Sequence, residues 1–349
     1  MSIDTSSEHS HPLLQSDWID APHHLINIGD LSLELGGKIE HCQISYAVHG
    51  DLADQTKPLV IFLCAIGSIH HRLDFLINQS RTLDLNQTRI IAIDALGNGQ
   101  SSSPSNSTEQ AFFRFPRFTI GDMVHSQKKL LDHLGITHVD TIIGASMGGM
   151  QALKWAVTYP DFMDHIVALT PMSKTTAWAA SMTRAARESL ASHIDLDGSF
   201  DPDRTWLAWL PIMQMLAMRT PHECDAQFDD VHQISKWYEQ RLQWWKSMGF
   251  HPLDWIYQSL AYDAHDVSQL APFNGDLEKA LASIQAKCLI GVPSLDLFNP
   301  IEQAIYTAGL IPQCDLVKLD THWGHMAASA LDPASTKIIS KAIDALTGR

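Results

Sequence analysis

The sequence has few cysteines, no long apolar run and little positive charge, and each shortage excludes a class of protein. The 349 residues include five cysteines, scattered and without a Cys-x-x-Cys pair, which is typical of reduced thiols in a cytoplasmic protein. No run approaches the roughly 20 apolar residues of a membrane helix, and residues 1–15 carry no apolar signal core. The net charge of −15 argues against a nucleic-acid surface. We expect a cytoplasmic protein that acts on a small molecule, with no nucleic-acid or membrane partner.

Metal and phosphate motifs are also missing. His9 and His11 lie in a polar leader that is more typical of a frayed end than of a metal site. His70-His71 lacks a cysteine or carboxylate partner that the sequence can place, so a helix start is the simpler interpretation. Gly97-Asn98-Gly99 resembles a phosphate loop only in its glycines. We therefore predict no metal and no permanently bound cofactor.

What the sequence does have is a series of short apolar runs that alternate with helical patterns. Runs typical of buried strands occur at residues 58–65, 89–94, 141–145, 165–169, 287–292 and 314–319. Helical spacing follows at 119–134 and 151–159, and a closing helix is predicted at 327–346. Residues 25–49 predict strands joined by a hairpin at Gly36-Gly37. This alternation predicts an α/β fold with a mostly parallel, doubly wound sheet and ligands at the carboxyl ends of its strands.

Residues 173–266 interrupt this pattern because they are helical and lack buried-strand runs. Seven of the ten tryptophans lie in this segment. We predict a first core part at 1–172, a helical lid insertion at 173–266 and a second core part at 267–349. Helix packing is the favoured explanation of the tryptophans, and an apolar lid or dimer surface over the site is the alternative.

A Gly-x-Ser-x-Gly sequence, Gly144 to Gly148, lies between an apolar run and a helical pattern. Strand, tight turn and helix form the context of a nucleophile elbow, in which Ser146 is exposed at the turn. A serine nucleophile needs a histidine base and an acid to orient it, and in this architecture they follow in the order Ser, acid, His. Asp296 and His325 follow the last two predicted strands, so we predict Ser146, Asp296 and His325 as the catalytic triad.

Weaker candidates compete for these roles. His322 lies in the same loop as His325, but Gly324 frees the backbone before His325. Asp276 precedes its strand, and Asp320 lies too close to the histidine loop. The oxyanion hole requires two backbone N–H groups, for which we predict Met147 and either Ala65 or Ile66.

The chain resembles the homoserine O-acetyltransferase branch of the α/β-hydrolase superfamily. The resemblance lies in residues 115–124 (FPRFTIGDMV) and in the elbow, residues 146–153 (SMGGMQAL). It implies the α/β-hydrolase fold, the triad above, acetyl-CoA as a possible co-substrate and a homodimer formed through the lid. It also implies a lid arginine that holds the carboxylate of an amino-acid acceptor, for which Arg219 is the nearest match and Arg187 the fallback.

The chain departs from that family at several positions. The oxyanion loop, residues 65–68, is one residue short, residues 94–104 resemble the loop of general ester hydrolases, and Met326 replaces an aspartate. We therefore predict acetyl transfer to the hydroxyl of a small amino acid, with ester hydrolysis by the same triad as the alternative. A binding protein on an inactive hydrolase fold would need a missing triad member, and none is missing.

Overall fold

The computed structural model describes residues 11–349, so His9 and the start of the predicted polar leader lie outside the described residues. Its strands are β1 (His23–Asn27), β2 (Leu31–Ser32), β3 (Lys38–Ile39), β4 (Gln43–His49), β5 (Leu59–Leu63), β6 (Arg89–Ile93), β7 (Val139–Ala145), β8 (Met163–Leu169), β9 (Lys287–Pro293) and β10 (Cys314–Leu319). Eight of them form one sheet in the order β1-β4-β6-β5-β7-β8-β9-β10. β1, β4 and β6 pair antiparallel, whereas the strands from β6 to β10 run parallel. The predicted α/β fold class is confirmed.

Helices cover the faces of this sheet and form the insertion. They are α1 (Ile120–His133), α2 (Met147–Thr158), α3 (Ala177–Ala191), α4 (Pro202–Leu210), α5 (Pro221–Gln227), α6 (Val231–Ser247), α7 (Pro252–Asp263), α8 (Leu277–Ala282), α9 (Ile301–Leu310) and α10 (Pro333–Thr347). A 3-10 helix runs from His70 to Leu76, and a π-helical segment, Pro211–Ala217, continues α4. Among the described residues, the helices are too short or too polar to cross a bilayer.

The chain reverses its direction of travel across the sheet at β5. From β5 it moves outward to β6, and it then returns to the other side of β5 as β7. Loops leave the carboxyl ends of β5 and β7 in opposite directions at such a switch point and open a crevice between them. The loop that contains Ala65 and Ile66 and the turn that contains Ser146 border this crevice.

Local signals set the helix boundaries. Thr119 caps α1 through a capping box with Asp122. The closing helix begins at Pro333 and not at residue 327, because Asp332 caps the helix and Pro333 occupies its first turn. The residues before it, Gly324–Ala327, form a separate 3-10 turn that carries His325.

The helical insertion begins and ends at adjacent points of the core. Val267 N donates to Ser173 O over 3.0 Å, and Thr175 N donates to His265 O over 2.9 Å, so the two ends of the segment are paired. Most of its tryptophans pack against one another, as in the favoured interpretation: Trp209 lies 4.7 Å from Trp245 and 5.4 Å from Trp255 between ring centroids.

Candidate active site

Ser146 lies at the turn between β7 and α2 in a conformation that L-residues rarely adopt. Its φ of 56° and ψ of −121° place it outside the helical and extended regions. The two flanking glycines make this turn possible. A Cβ on Gly144 would lie 2.0 Å from the carbonyl oxygen of Gly148, and a Cβ on Gly148 would lie 2.4 Å from that of Leu63. The strain therefore aims the serine hydroxyl away from β7 and into the crevice.

Three side chains that are far apart in the sequence form one chain of hydrogen bonds. Nδ1 of His325 donates to Oδ2 of Asp296 over 2.7 Å, and the hydroxyl of Ser146 donates to Nε2 of His325 over 2.8 Å. A carboxylate can only accept, so the proton of the neutral imidazole lies on Nδ1 and Nε2 is free to take the serine proton. All three residues are buried. The predicted triad residues are thus within reach of one another for proton transfer.

The carboxylate of Asp296 is held by backbone groups of the same loop. Oδ1 accepts from the N–H of Phe298 over 2.9 Å and from the N–H of Asn299 over 2.8 Å, which leaves Oδ2 for His325. The Phe298 ring meets the imidazole edge to face at 5.1 Å. These contacts fix the rotamers of both the acid and the base.

Sequence analysis missed Tyr262 and Asn299, which extend this network into the insertion. The hydroxyl of Tyr262, at the end of α7, donates to Oδ1 of Asn299, and the amide of Asn299 donates to the carbonyl oxygen of Thr170 over 2.7 Å. Burial and the negative charge of Asp296 raise the pKa of Tyr262 well above its usual value, so the phenol keeps its proton. No motif marks these residues, because they lie in different segments and meet only in the folded chain.

The competing histidine and acids lie elsewhere. The ring of His322 lies tilted against that of His222, 3.8 Å between centroids, and within residues 11–349 it makes no hydrogen bond to Ser146 or Asp296. Asp276 caps α8, and Asp320 is exposed at the end of β10. Within residues 11–349, the hydrogen-bonded relay to Ser146 therefore runs through His325.

Backbone donors for an oxyanion come from the two sides of the crevice. Met147 is the first residue of α2, whose N-terminus carries partial positive charge toward the site. In the loop after β5, the N–H of Gly67 donates to Oε1 of Gln258 over 2.9 Å. Gln258 lies on α7, so the insertion occupies this donor and leaves Ala65 and Ile66 as the loop donors that the sequence predicts.

Both arginines that we predicted to bind substrate are already paired with carboxylates. Arg219 contacts Glu223 through a short salt bridge in which both side chains are buried, and it also donates to Gln227 over 2.7 Å. Arg187 pairs with Asp263 at 2.9 Å. Because each guanidinium is neutralised within the insertion, neither is a free cation for an acceptor carboxylate.

Arg241, on α6, is a cation that sequence analysis did not single out. It lines a cavity of about 380 Å³ together with Gly67 and Ser68 of the oxyanion loop and with Met326, the neighbour of His325. Its Nε is buried without a partner, and no carboxylate of residues 11–349 forms a salt bridge with it. Burial, and then the nearby Arg219, lowers the pKa of Arg241 to about 10, so it remains charged at neutral pH.

Comparisons with known proteins agree with this fold. The profile of a family described as alpha/beta hydrolase fold matches residues 58–328. A homoserine O-acetyltransferase of Nautilia profundicola is 28% identical over 336 residues, covering 84% of this chain and 90% of that protein. An ethyl acetate hydrolase of Pseudomonas veronii is 28% identical and covers 89% and 91%. The crystal structure of an acetylester hydrolase from Corynebacterium glutamicum superposes with a TM-score of 0.84 at 24% identity, covering 94% and 96%. The relatives thus include both acetyltransferases and ester hydrolases.

Proposed function

The chain belongs to the α/β-hydrolase fold family, and on that premise we propose that it transfers acyl groups through a covalent ester on Ser146. The observation that carries the proposal is the hydrogen-bonded relay from Ser146 through His325 to Asp296. The comparisons support an enzyme that resembles the homoserine O-acetyltransferases, with ester hydrolases among its other relatives.

The relay performs the chemistry in two halves. His325 takes the proton of Ser146 while the serine oxygen attacks the carbonyl carbon of the acyl donor. The resulting oxyanion is stabilised by the N–H of Met147 and by that of Ala65 or Ile66, and losing one such donor costs about 3 kcal/mol in the barrier. His325 next protonates the leaving group, which departs. It then deprotonates the acceptor hydroxyl that attacks the acyl-enzyme, and it returns this proton to the oxygen of Ser146 as the serine ester bond breaks.

The acceptor decides between the two functions, and the main candidate is the hydroxyl of a small amino acid, with acetyl-CoA as the acyl donor. Such an acceptor carries a carboxylate, which a guanidinium binds best. Arg241 meets this requirement because it lies in the cavity beside Ser68 and has no carboxylate partner. Arg219 and Arg187 would each have to leave a salt bridge first.

Ester hydrolysis is the second candidate, in which water is the acceptor. Two observations favour hydrolysis. Both predicted arginines are already paired with carboxylates, and the cavity is lined by Met326, where the acetyltransferase family that the chain resembles has an aspartate. A small apolar alcohol ester needs no cation for recognition. The first half of the reaction is the same in both candidates, so only a change of acceptor distinguishes them.

The deciding experiment supplies acetyl-CoA with and without homoserine and, separately, an activated aryl acetate. Release of free thiol that depends on homoserine supports transfer, whereas rapid ester cleavage without an acceptor effect supports hydrolysis. Arg241→Ala is the matched probe: for a transferase it raises the acceptor KM with little change in the first half-reaction. An unchanged KM removes Arg241 from acceptor binding.

The wider setting follows from the same features. We propose that residues 173–266 act as a lid, because Gln258 and Tyr262 on α7 contact the oxyanion loop and the triad network. A homodimer formed through this lid and a cytoplasmic location remain part of the proposal. The location is supported by the five cysteines, all of which are free thiols.

A further inference from the structure

A second cluster of polar side chains lies outside the catalytic relay, where the N-terminal segment meets the 3-10 helix after β5. Nε2 of His11 lies 3.2 Å from Nε2 of His70 and 3.2 Å from Nε2 of His71. These three ligand atoms all fall within 4.8 Å of one another. His70 and His71 are buried, and His11 is half-buried. Three imidazole nitrogens therefore converge on one point, although His11 is 59 residues from His70 in the chain.

The contacts of the other ring nitrogen fix the tautomer of each histidine. In every ring Nδ1 lies beside an oxygen that can only accept: Asp94 for His70 at 2.8 Å, Asp74 for His71 at 2.7 Å, and the carbonyl of Pro12 for His11 at 2.6 Å. Each Nδ1 therefore carries a proton, and each Nε2 of a neutral ring presents a lone pair. Three lone pairs that face one another cannot form hydrogen bonds among themselves. One added proton could form a hydrogen bond between only two of the nitrogens, whereas a metal ion between them could accept the lone pairs of all three.

Two carboxylates behind the histidines supply the charge that such an ion would balance. Asp94 is 0% and Asp74 is 3% exposed. Within residues 11–349 the salt-bridge partners of Asp94 and Asp74 are all histidines, and neither carboxylate forms a salt bridge with a lysine or an arginine. Asp94 also accepts hydrogen bonds from the N–H of His70 and the amide of Asn98, each over 2.8 Å, which marks it as ionised. A carboxylate that orients the ring of a ligating histidine is a recurring feature of metal sites.

We propose that His11, His70 and His71 bind one divalent transition-metal ion, zinc by the chemistry of the donors. Two nitrogens bound at about 2.05 Å to a tetrahedral zinc ion lie about 3.3 Å apart, which agrees with the separations of 3.2 Å. Imidazole donors suit zinc, copper or nickel, whereas magnesium and calcium take oxygen ligands. Three protein ligands leave the fourth position of the tetrahedron to water or another donor.

The ion would fasten the N-terminal segment to the wall of the cavity beside the active site. The indole of Trp18 stacks on His71 at 4.3 Å between ring centroids, and the N–H of Ile19 donates to Asp74 over 2.8 Å. Gln15 and Trp18 line the same cavity as Ser68. The role is one of positioning, because no hydrogen bond among residues 11–349 joins the cluster to the triad. It does not depend on whether the acyl acceptor is an amino acid or water.

The test is a zinc titration of the full chain, purified without a polyhistidine tag and dialysed against a chelator. We expect one zinc ion per chain by competition with a chromophoric chelator. His11→Ala should weaken the affinity by at least about tenfold, because even groups behind the ligands are worth 10–100-fold. The matched control is His24→Ala, since His24 stacks on Tyr46 outside the cluster and its loss should leave zinc binding unchanged. Binding of equal strength by the wild type and His11→Ala would overturn the proposal.

Two further readouts do not depend on activity. Co²⁺ in place of zinc should give the visible absorption bands of a tetrahedral site in the wild type and lose them in His11→Ala. Zinc should also raise the Tm of the wild type, since it binds the folded state, and should leave that of His11→Ala unchanged. His11 lies in a terminal segment, so its replacement leaves the core intact. A wild type that shows neither the cobalt bands nor the Tm rise contradicts the site.

Discussion

Asp254, near the start of α7, offers a sharp test of the electrostatics of residues 173–266. Oδ1 accepts from the N–H of Ser105 over 3.0 Å and Oδ2 accepts from its hydroxyl over 2.6 Å, so this carboxyl joins α7 to the loop after β6. Burial raises its pKa from 3.8 to about 7, although both hydrogen bonds from Ser105 act in the opposite direction. No lysine or arginine of residues 11–349 forms a salt bridge with it.

The sign of the effect follows from proton linkage. A carboxyl whose pKa is higher in the folded chain binds more protons there, so the free energy of unfolding falls as pH rises from about 4 to about 7. At about 1.4 kcal/mol per pH unit, the full cost of ionising Asp254 has an upper bound of about 4 kcal/mol. Between pH 5 and pH 8 the wild type should lose about 2–3 kcal/mol of its free energy of unfolding through the ionisation of Asp254.

Asp254→Asn should therefore become more stable relative to the wild type as pH rises. We expect the difference in free energy of unfolding to grow by about 2–3 kcal/mol from pH 5 to pH 8, measured by urea unfolding at each pH. All other titrating groups are shared, so they cancel in the difference. Asp225→Asn, an exposed site in the same insertion, is the control and should show no such trend. A difference that is constant with pH, or that shrinks as pH rises, would refute the reasoning.

Three further substitutions test separate contacts. Gly144→Ala places a Cβ 2.0 Å from the carbonyl oxygen of Gly148 in α2. It should therefore lower the free energy of unfolding by at least about 3 kcal/mol or abolish turnover. A normal Tm together with a normal kcat would argue against the tight turn at Ser146. Arg219→Ala leaves Glu223 buried and unpaired, so it should lower stability by about 3 kcal/mol without changing the acceptor KM; a raised KM at unchanged stability would restore Arg219 as the substrate clamp. Tyr262→Phe removes the donor to Asn299, so it should lower the free energy of unfolding by about 1–3 kcal/mol and lower kcat. Thermal unfolding and steady-state kinetics check this, and an unchanged Tm together with an unchanged kcat would contradict it.

The parts of the molecule that sequence analysis predicted are those that local patterns specify. The strands around Ser146 are continuous apolar runs, and the glycines on either side mark the turn. The positions of Asp296 and His325 followed from chain order and from their places after predicted strands, because this architecture brings the carboxyl ends of its strands to one edge. The start of α10 was placed too early, although Asp332 and Pro333 carry the cap signal that locates it.

One missed contact had a local signal. Glu223 lies four residues after Arg219, a spacing at which opposite charges pair, so the neutralised arginine could have been predicted from the sequence. The histidine cluster had no such signal, because its contacts join segments that lie far apart in the chain. Asp74 lies in the same 3-10 helix as His71, whereas Asp94 and His11 come from other segments that only the fold brings together.

The most direct test of the central claim is to trap the acyl-enzyme. The protein is mixed with an activated aryl acetate or with acetyl-CoA, quenched within the first turnover, digested and mapped by mass spectrometry. The account predicts one acetyl group on the peptide that contains Ser146 in the wild type and none in Ser146→Ala, whose turnover should fall by several orders of magnitude. Acetyl on a different residue, or near-normal turnover by Ser146→Ala, would contradict it.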